Sequence, residues 1–163
     1  MMSASVPCAG CGLAAGRQVC QDTFNDVSLR VRALAWTDSL KTWRLMHDVY
    51  ALQHPGDQCT TYKDLIVHLC GVAWAIEHGG NERGHRQILQ FASRPEWEHE
   101  PFPPAPGIPE ARGSILVTSL ARLAEPQLLV SGIDRWARAT WMAYAALQVP
   151  AREWVQQAVG QGR

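Results

Sequence analysis

Neither sign of charge is in surplus: 15 Lys and Arg stand against 15 Asp and Glu, for a net charge of zero and an isoelectric point near 7.0. Neutralising a phosphate backbone takes an excess of cations, so this balance speaks against nucleic-acid binding and against polybasic attachment to a membrane surface. No apolar run reaches the roughly 18 residues that a membrane-spanning helix needs, so none is expected. The opening MMSASVPCAGCG has neither a basic start nor an apolar stretch. A secretory signal is therefore not expected, and the cytoplasm is the default location. Strand-like alternation and internal repeats are missing, and the one biased tract is rich in proline. There is no Ser-His-Asp order, phosphate-binding loop or dinucleotide fingerprint to indicate an enzyme.

What the chain does have is helical patterning, five cysteines and seven tryptophans in 163 residues. The length and an ordinary apolar fraction predict one domain over 1–163 with a real core. The expected fold class is mainly α, a helical bundle with an irregular, zinc-knuckle-like N-terminal segment and a proline-rich loop. Within it, 1–21 is Cys-rich, 22–94 forms helices around a central hairpin, 95–113 is the loop and 114–159 holds the C-terminal helices. Most of the tryptophans fall where helices would pack, as large core fillers.

Apolar spacing at Phe24, Val27, Val31 and Leu34 predicts a helix over 22–35, capped by Asp22 or Thr23. A second helix runs from Thr37 or Asp38 to about His54, where Pro55 and Gly56 end it. Residues 57–60 are a tight connection, and Thr61 with Asp64 makes a capping-box-like start to a third helix over 62–77. The short connection predicts an antiparallel hairpin in which Asp48 and His68 meet. A weaker fourth helix covers 81–94, with Gly84 counting against it. Six prolines between Pro95 and Pro109 exclude helix and central strand there, leaving a surface loop pinned by Trp97 and Phe102. A short helix over 115–123 is closed by Pro126. Ser131 to Asp134 then opens the last long helix, which Pro150 interrupts.

The chemistry-bearing residues lie in two places. Cys8 and Cys11, spaced C-x-x-C and followed by Gly12, form half of a tetrahedral zinc site, and Cys20 is a third candidate ligand. A redox pair is the competing reading, but the thioredoxin-type motif requires a βαβ context that this chain lacks. In WRLMHDVYALQHPG, residues 43–56, His47, Tyr50 and His54 share one helical stripe, with Asp48 one step round. His54 at the helix end is the expected fourth ligand, with His68 as runner-up. Asp48, Tyr50 and His68 are candidates to support the site, although an Asp48–His68 pair that merely fixes the hairpin register explains the same residues. Gln53 is expected to satisfy helix-end carbonyls and Cys70 to be a buried thiol. His78, His85 and His99 are expected to be solvated.

Three motifs resemble an uncharacterised bacterial family, a domain of unknown function. They are Cys8-x-x-Cys11-Gly12 followed by Cys20, the helix end Asp48-x-Tyr50-Ala51-x-Gln53-His54-Pro55-Gly56, and His68-Leu69-Cys70. The Trp136-Ala137 and Trp141 pattern of the last helix is also similar. The resemblance spans most of the chain and transfers little function.

Two readings follow. In one, a closed Cys3His site holds a structural Zn2+, and the protein acts by binding an unidentified protein or small molecule, on the surface between the proline loop and the hairpin. In the other, the metal keeps a water ligand and the Asp48/His54/His68 region performs a hydrolysis. Three thiolates favour the first, because they acidify a zinc-bound water less and four protein ligands leave no open position.

Overall fold

The computed structural model describes residues 6–34, 36–59, 61–97 and 108–160. Among them the regular structure is helical: α1 Arg17–Arg32, α2 Trp36–Gln53, α3 Pro55–Gln58, α4 Tyr62–His78, α5 Glu82–Ala92, α6 Thr118–Ala121, α7 Pro126–Ala143 and α8 Gln148–Gly160. The mainly-α expectation holds. Phe102 and His99 lie outside the described residues, as does most of the proline-rich stretch, but its first residues, Pro95–Trp97, form a short 3-10 helix where helix is not expected, since proline is tolerated at a first helical position.

The α2–α4 hairpin is the centre of the packing. α7 lies against α2 and α4, α8 against α4 and α5, and α1 along α2. Met46, Val49 and Leu52 of α2, Leu65, Ile66 and Leu69 of α4, and Ile133, Trp136 and Ala137 of α7 are fully or almost fully buried. These positions recur at helical spacing, so each helix turns one apolar stripe inward. The start of α4 is set as the sequence indicates. Thr61 accepts from the Asp64 amide, the Asp64 carboxylate accepts from the Thr61 amide, and Gly79 closes the helix in the left-handed region. Asn81 caps α5. Gly84, which counted against this helix, is there for packing: a Cβ at this position would lie 2.0 Å from the Trp74 ring.

Several expected boundaries are wrong, each for a physical reason. α1 starts five residues before Asp22, after Gly16 with φ 91 and with no side-chain cap. The polar groups read as caps bond inside the helix instead: Gln18 donates to Asp22 at 2.9 Å and the Thr23 hydroxyl to the Val19 carbonyl at 2.7 Å. Pro55 does not simply stop α2. It is the first residue of the one-turn helix α3, where a missing N–H costs nothing, and His54 is the hinge between the two helices. Pro126 opens α7 in the same manner, five residues before Ser131. Ser131 is therefore internal, its hydroxyl donating to the Leu128 carbonyl at 3.2 Å, and Asp134 pairs with Arg138. The helix expected over 115–123 is one turn, Thr118–Ala121. Pro150 sits in the first turn of α8 and does not break it.

Candidate metal centre

Because α1 begins at Arg17, Cys20 belongs to a helix and not to the irregular segment. It shares the inward stripe with Phe24, Val27 and Val31, and its side chain has no solvent exposure. Cys8 and Cys11 precede it in a tight turn. The Gly12 amide donates to the Cys8 carbonyl at 2.8 Å, and the Cys8 amide donates to the Leu13 carbonyl at 2.9 Å. Gly12 has φ 75, which a residue with a side chain would resist.

The hinge at the end of α2 supplies the fourth group. His54 is 2 % exposed and lies 34 residues from Cys20, yet its Nε2 is 3.3 Å from the Cys20 Sγ. The Cys11 and Cys20 sulfurs are 3.6 Å apart. Taken together, one ligand atom from each of Cys8, Cys11, Cys20 and His54 falls within 4.8 Å of the other three. Among the described residues this is the one group of three or more His, Cys, Asp or Glu that converges closely enough to hold a metal ion.

The imidazole is oriented by its own helix. His54 Nδ1 is 2.8 Å from the Tyr50 carbonyl, which can only accept, so Nδ1 carries a proton and Nε2 is the ring atom that faces the sulfurs. The Tyr50 ring stacks on His54 at 4.0 Å and on Phe24 at 3.9 Å. Its hydroxyl donates to Gln21 Oε1 at 3.2 Å and lies 3.9 Å from the Cys20 Sγ. Tyr50 is thus a wall of the site with a tethered hydroxyl, and burial raises its ionisation well above the ordinary phenol range. Without metal, the two near sulfurs split their acidities. The hydrogen bond from Cys20 holds Cys11 far below the usual thiol value, with His54 assisting against burial. The same hydrogen bond, with burial, pushes Cys20 up.

A distant segment locks the turn onto the hinge. Gln53 Nε2 donates to the Arg112 carbonyl at 3.1 Å and to the Ile115 carbonyl at 2.9 Å, and the Arg112 guanidinium donates to the Gly10 carbonyl. Gln53 therefore satisfies carbonyls of another segment and not those of its own helix end. Gly10 packs so closely that a Cβ would lie 2.1 Å from His54 Cδ2. Sequence reasoning missed Arg112, and no local pattern marks it, since 102 residues separate it from Gly10. An open groove of about 390 Å³ runs over the site, lined by Cys8, Gly10, Cys11, Gln53, Glu110 and Arg112 among others.

The remaining expected residues lie elsewhere. His68 Nδ1 is 2.8 Å from Asp48 Oδ1, so the two meet across the hairpin. His47 lies against Trp43 at 4.1 Å and edge-on to Phe24 at 4.9 Å. Cys70 is buried, as expected, and donates to the Ala151 carbonyl at 3.4 Å. His78 is exposed and stacks on Trp74. His85, expected to be solvated, is partly buried, and that burial lowers its basicity.

The chain belongs to the family of unknown function DUF5946, whose family model matches residues 6–145 and so includes all four converging residues. No curated protein and no solved structure matches it. No helix among the described residues is long and apolar enough to cross a membrane.

Proposed function

We propose that this is a zinc-binding helical protein in which Cys8, Cys11, Cys20 and His54 hold one structural Zn2+, and that it acts as a binding module. The observation that carries the reading is the spacing of the donor atoms. Tetrahedral zinc, at about 2.3 Å from sulfur and about 2.0–2.1 Å from nitrogen, sets neighbouring sulfurs about 3.8 Å apart and sulfur and nitrogen about 3.6 Å apart. The Cys11–Cys20 sulfur–sulfur separation, 3.6 Å, and the Cys20–His54 sulfur–nitrogen separation, 3.3 Å, fall within a few tenths of an ångström of those edges, and all four donor atoms lie within 4.8 Å of one another. The donor set suits zinc in kind as well: three thiols and an imidazole already turned to present its Nε2.

Four protein ligands close the shell, so zinc here ties the N-terminal turn to the first turn of α1 and the end of α2. Its binding energy is then folding energy for that corner of the molecule. The groove beside the turn is the surface that such a site would shape for a protein or small-molecule partner. The alternative, a metal-dependent hydrolase working through Asp48, His54 and His68, draws on the Asp48–His68 hydrogen bond. It needs an open metal position, and four protein ligands leave none.

Elemental analysis of the reduced protein, purified without chelator, tests the proposal alongside Cys20→Ser. About one zinc per chain, lost in the variant together with stability, supports a structural site. A Cys20→Ser protein with unchanged zinc and unchanged stability sinks it and revives a site with fewer protein ligands.

A further inference from the structure

The groove over the site gives Cys11 a property that its partners lack. Cys8 and Cys11 both line the groove, but Cys8 and Cys20 are buried, 2 % and 0 % exposed, whereas Cys11 is only partly buried. The sulfur of Cys20, carried by a different element, lies 3.6 Å from the Cys11 sulfur. An oxidant arriving through the groove thus reaches one thiolate that has a second thiolate in contact behind it. Ligation keeps such sulfurs deprotonated and nucleophilic.

We propose that the site is a peroxide-responsive switch in which Cys11 and Cys20 form a disulfide and the metal is released. The proposal rests on the zinc reading above. In the first step the Cys11 thiolate attacks hydrogen peroxide, forming an S–O bond and breaking O–O; the products are a Cys11 sulfenic acid and hydroxide. The Cys20 thiolate then attacks the Cys11 sulfur, forming S–S and breaking S–O, with a second hydroxide leaving. Two thiolates lose one electron each, the peroxide gains two, and both hydroxides become water on taking up two protons. Only Cys8 and His54 then remain as ligands, too few for a four-coordinate zinc site.

The bridge would fasten the N-terminal turn to α1 by a covalent bond while freeing it from His54. Arg112, which donates to the Gly10 carbonyl and accepts from Gln53 through its own carbonyl, holds the turn on the hinge side. The other two cysteines serve as internal controls. Cys59 and Cys70 are 4 % and 1 % exposed, and burial raises both thiols, Cys59 to about 12. They stay protonated and unreactive.

The experiment uses the full chain, reduced and loaded with one equivalent of zinc. Hydrogen peroxide is added in metal-free buffer, released zinc is read with a chromophoric indicator, and the bridges are mapped by mass spectrometry after alkylation. The expected result is one zinc and two thiols lost per chain, a Cys11–Cys20 bridge, and recovery of both thiols and zinc on adding dithiothreitol. A Cys59→Ser/Cys70→Ser double variant, whose sites lie outside the cluster, should release zinc at the same rate. A bridge to Cys8 or Cys59, irreversible sulfonic acid at Cys11, or loss of release in the double variant would overturn the switch. So would zinc that stays bound through the treatment, which leaves the site itself standing. A chain that takes up no zinc at the outset overturns both.

Discussion

Cys20 Sγ and His54 Nε2 sit 3.3 Å apart although 34 residues lie between them. The contact joins the first turn of α1 to the hinge after α2, and both residues are buried. Two helix termini therefore meet at one pair of buried side chains, both of residue types that can bind a metal.

Gly10 is where the turn and the imidazole press on each other. A Cβ there would meet His54 Cδ2 at 2.1 Å and the Gln53 carbonyl at 3.1 Å, so the ring must tilt or the turn must lift. Either motion misdirects a ligand, and distortion of groups around a metal typically costs about 10–100-fold in affinity. Gly10→Ala should weaken zinc binding by about 10-fold or more in a competition titration against a chelator. Gly56→Ala, with open space at its Cβ, should leave affinity unchanged.

Arg112 should matter to the site without touching a sulfur. Its guanidinium donates to the Gly10 carbonyl and its own carbonyl accepts from Gln53. Removing it by Arg112→Ala leaves that carbonyl without its charged donor, a loss of about 1.5–3 kcal/mol for such a bond. The expected outcome is faster zinc loss to a chelator, with the helical circular-dichroism signal of the bundle retained. Unchanged zinc release would separate this clamp from the metal site.

At Gly84 two effects oppose each other. Replacing a helical glycine by alanine gains about 1 kcal/mol of helix propensity. Here the added methyl would sit 2.0 Å from the Trp74 ring, whose Nε1 is held by the Asn81 carbonyl. Overpacking of this kind costs about 1–3 kcal/mol, so the clash wins. Gly84→Ala should lower the urea midpoint while leaving zinc content at the wild-type level. A rise in the midpoint would show that α5 can move away from α4.

Acid sensitivity should come partly from His47. Burial, the largest influence, holds its imidazole below the ordinary value of 6.5, and its Nε2 is buried without a hydrogen-bond partner. The unfolded chain therefore binds the proton more readily than the folded one. This contribution to stability is present above about pH 6.5 and is lost as pH falls through the lower folded value. His47→Phe should flatten the fall in urea midpoint between about pH 7.5 and 5.5. Zinc loss in acid would act on both proteins, so the difference between them is the quantity to read. An unchanged slope would exclude His47 as a source.

What could be read in the chain was local or followed from helical geometry. The convergence of Cys8, Cys11, Cys20 and His54 was legible because few side chains bind metal well and the hinge at Pro55 leaves His54 at a helix end. The meeting of Asp48 and His68 followed from counting residues back from a short connection. The Thr61–Asp64 cap was legible because both of its hydrogen bonds lie within four residues. The start of α1 was not, since Gly16 works through its backbone angle and offers no side-chain signal. Pro126 is ambiguous in the sequence because proline ends one helix and begins another with the same lack of an N–H. The Arg112–Gly10 clamp spans 102 residues, and only the folded packing brings its ends together.

The central claim is a closed site of three sulfurs and one nitrogen. X-ray absorption at the zinc edge of the purified, reduced protein tests it most directly. A closed Cys3His site gives three sulfur scatterers at about 2.3 Å and one nitrogen at about 2.0–2.1 Å, with the nitrogen and its imidazole scattering lost in His54→Ala. A shell containing two sulfurs or an oxygen, or an imidazole signal that persists without His54, would contradict it.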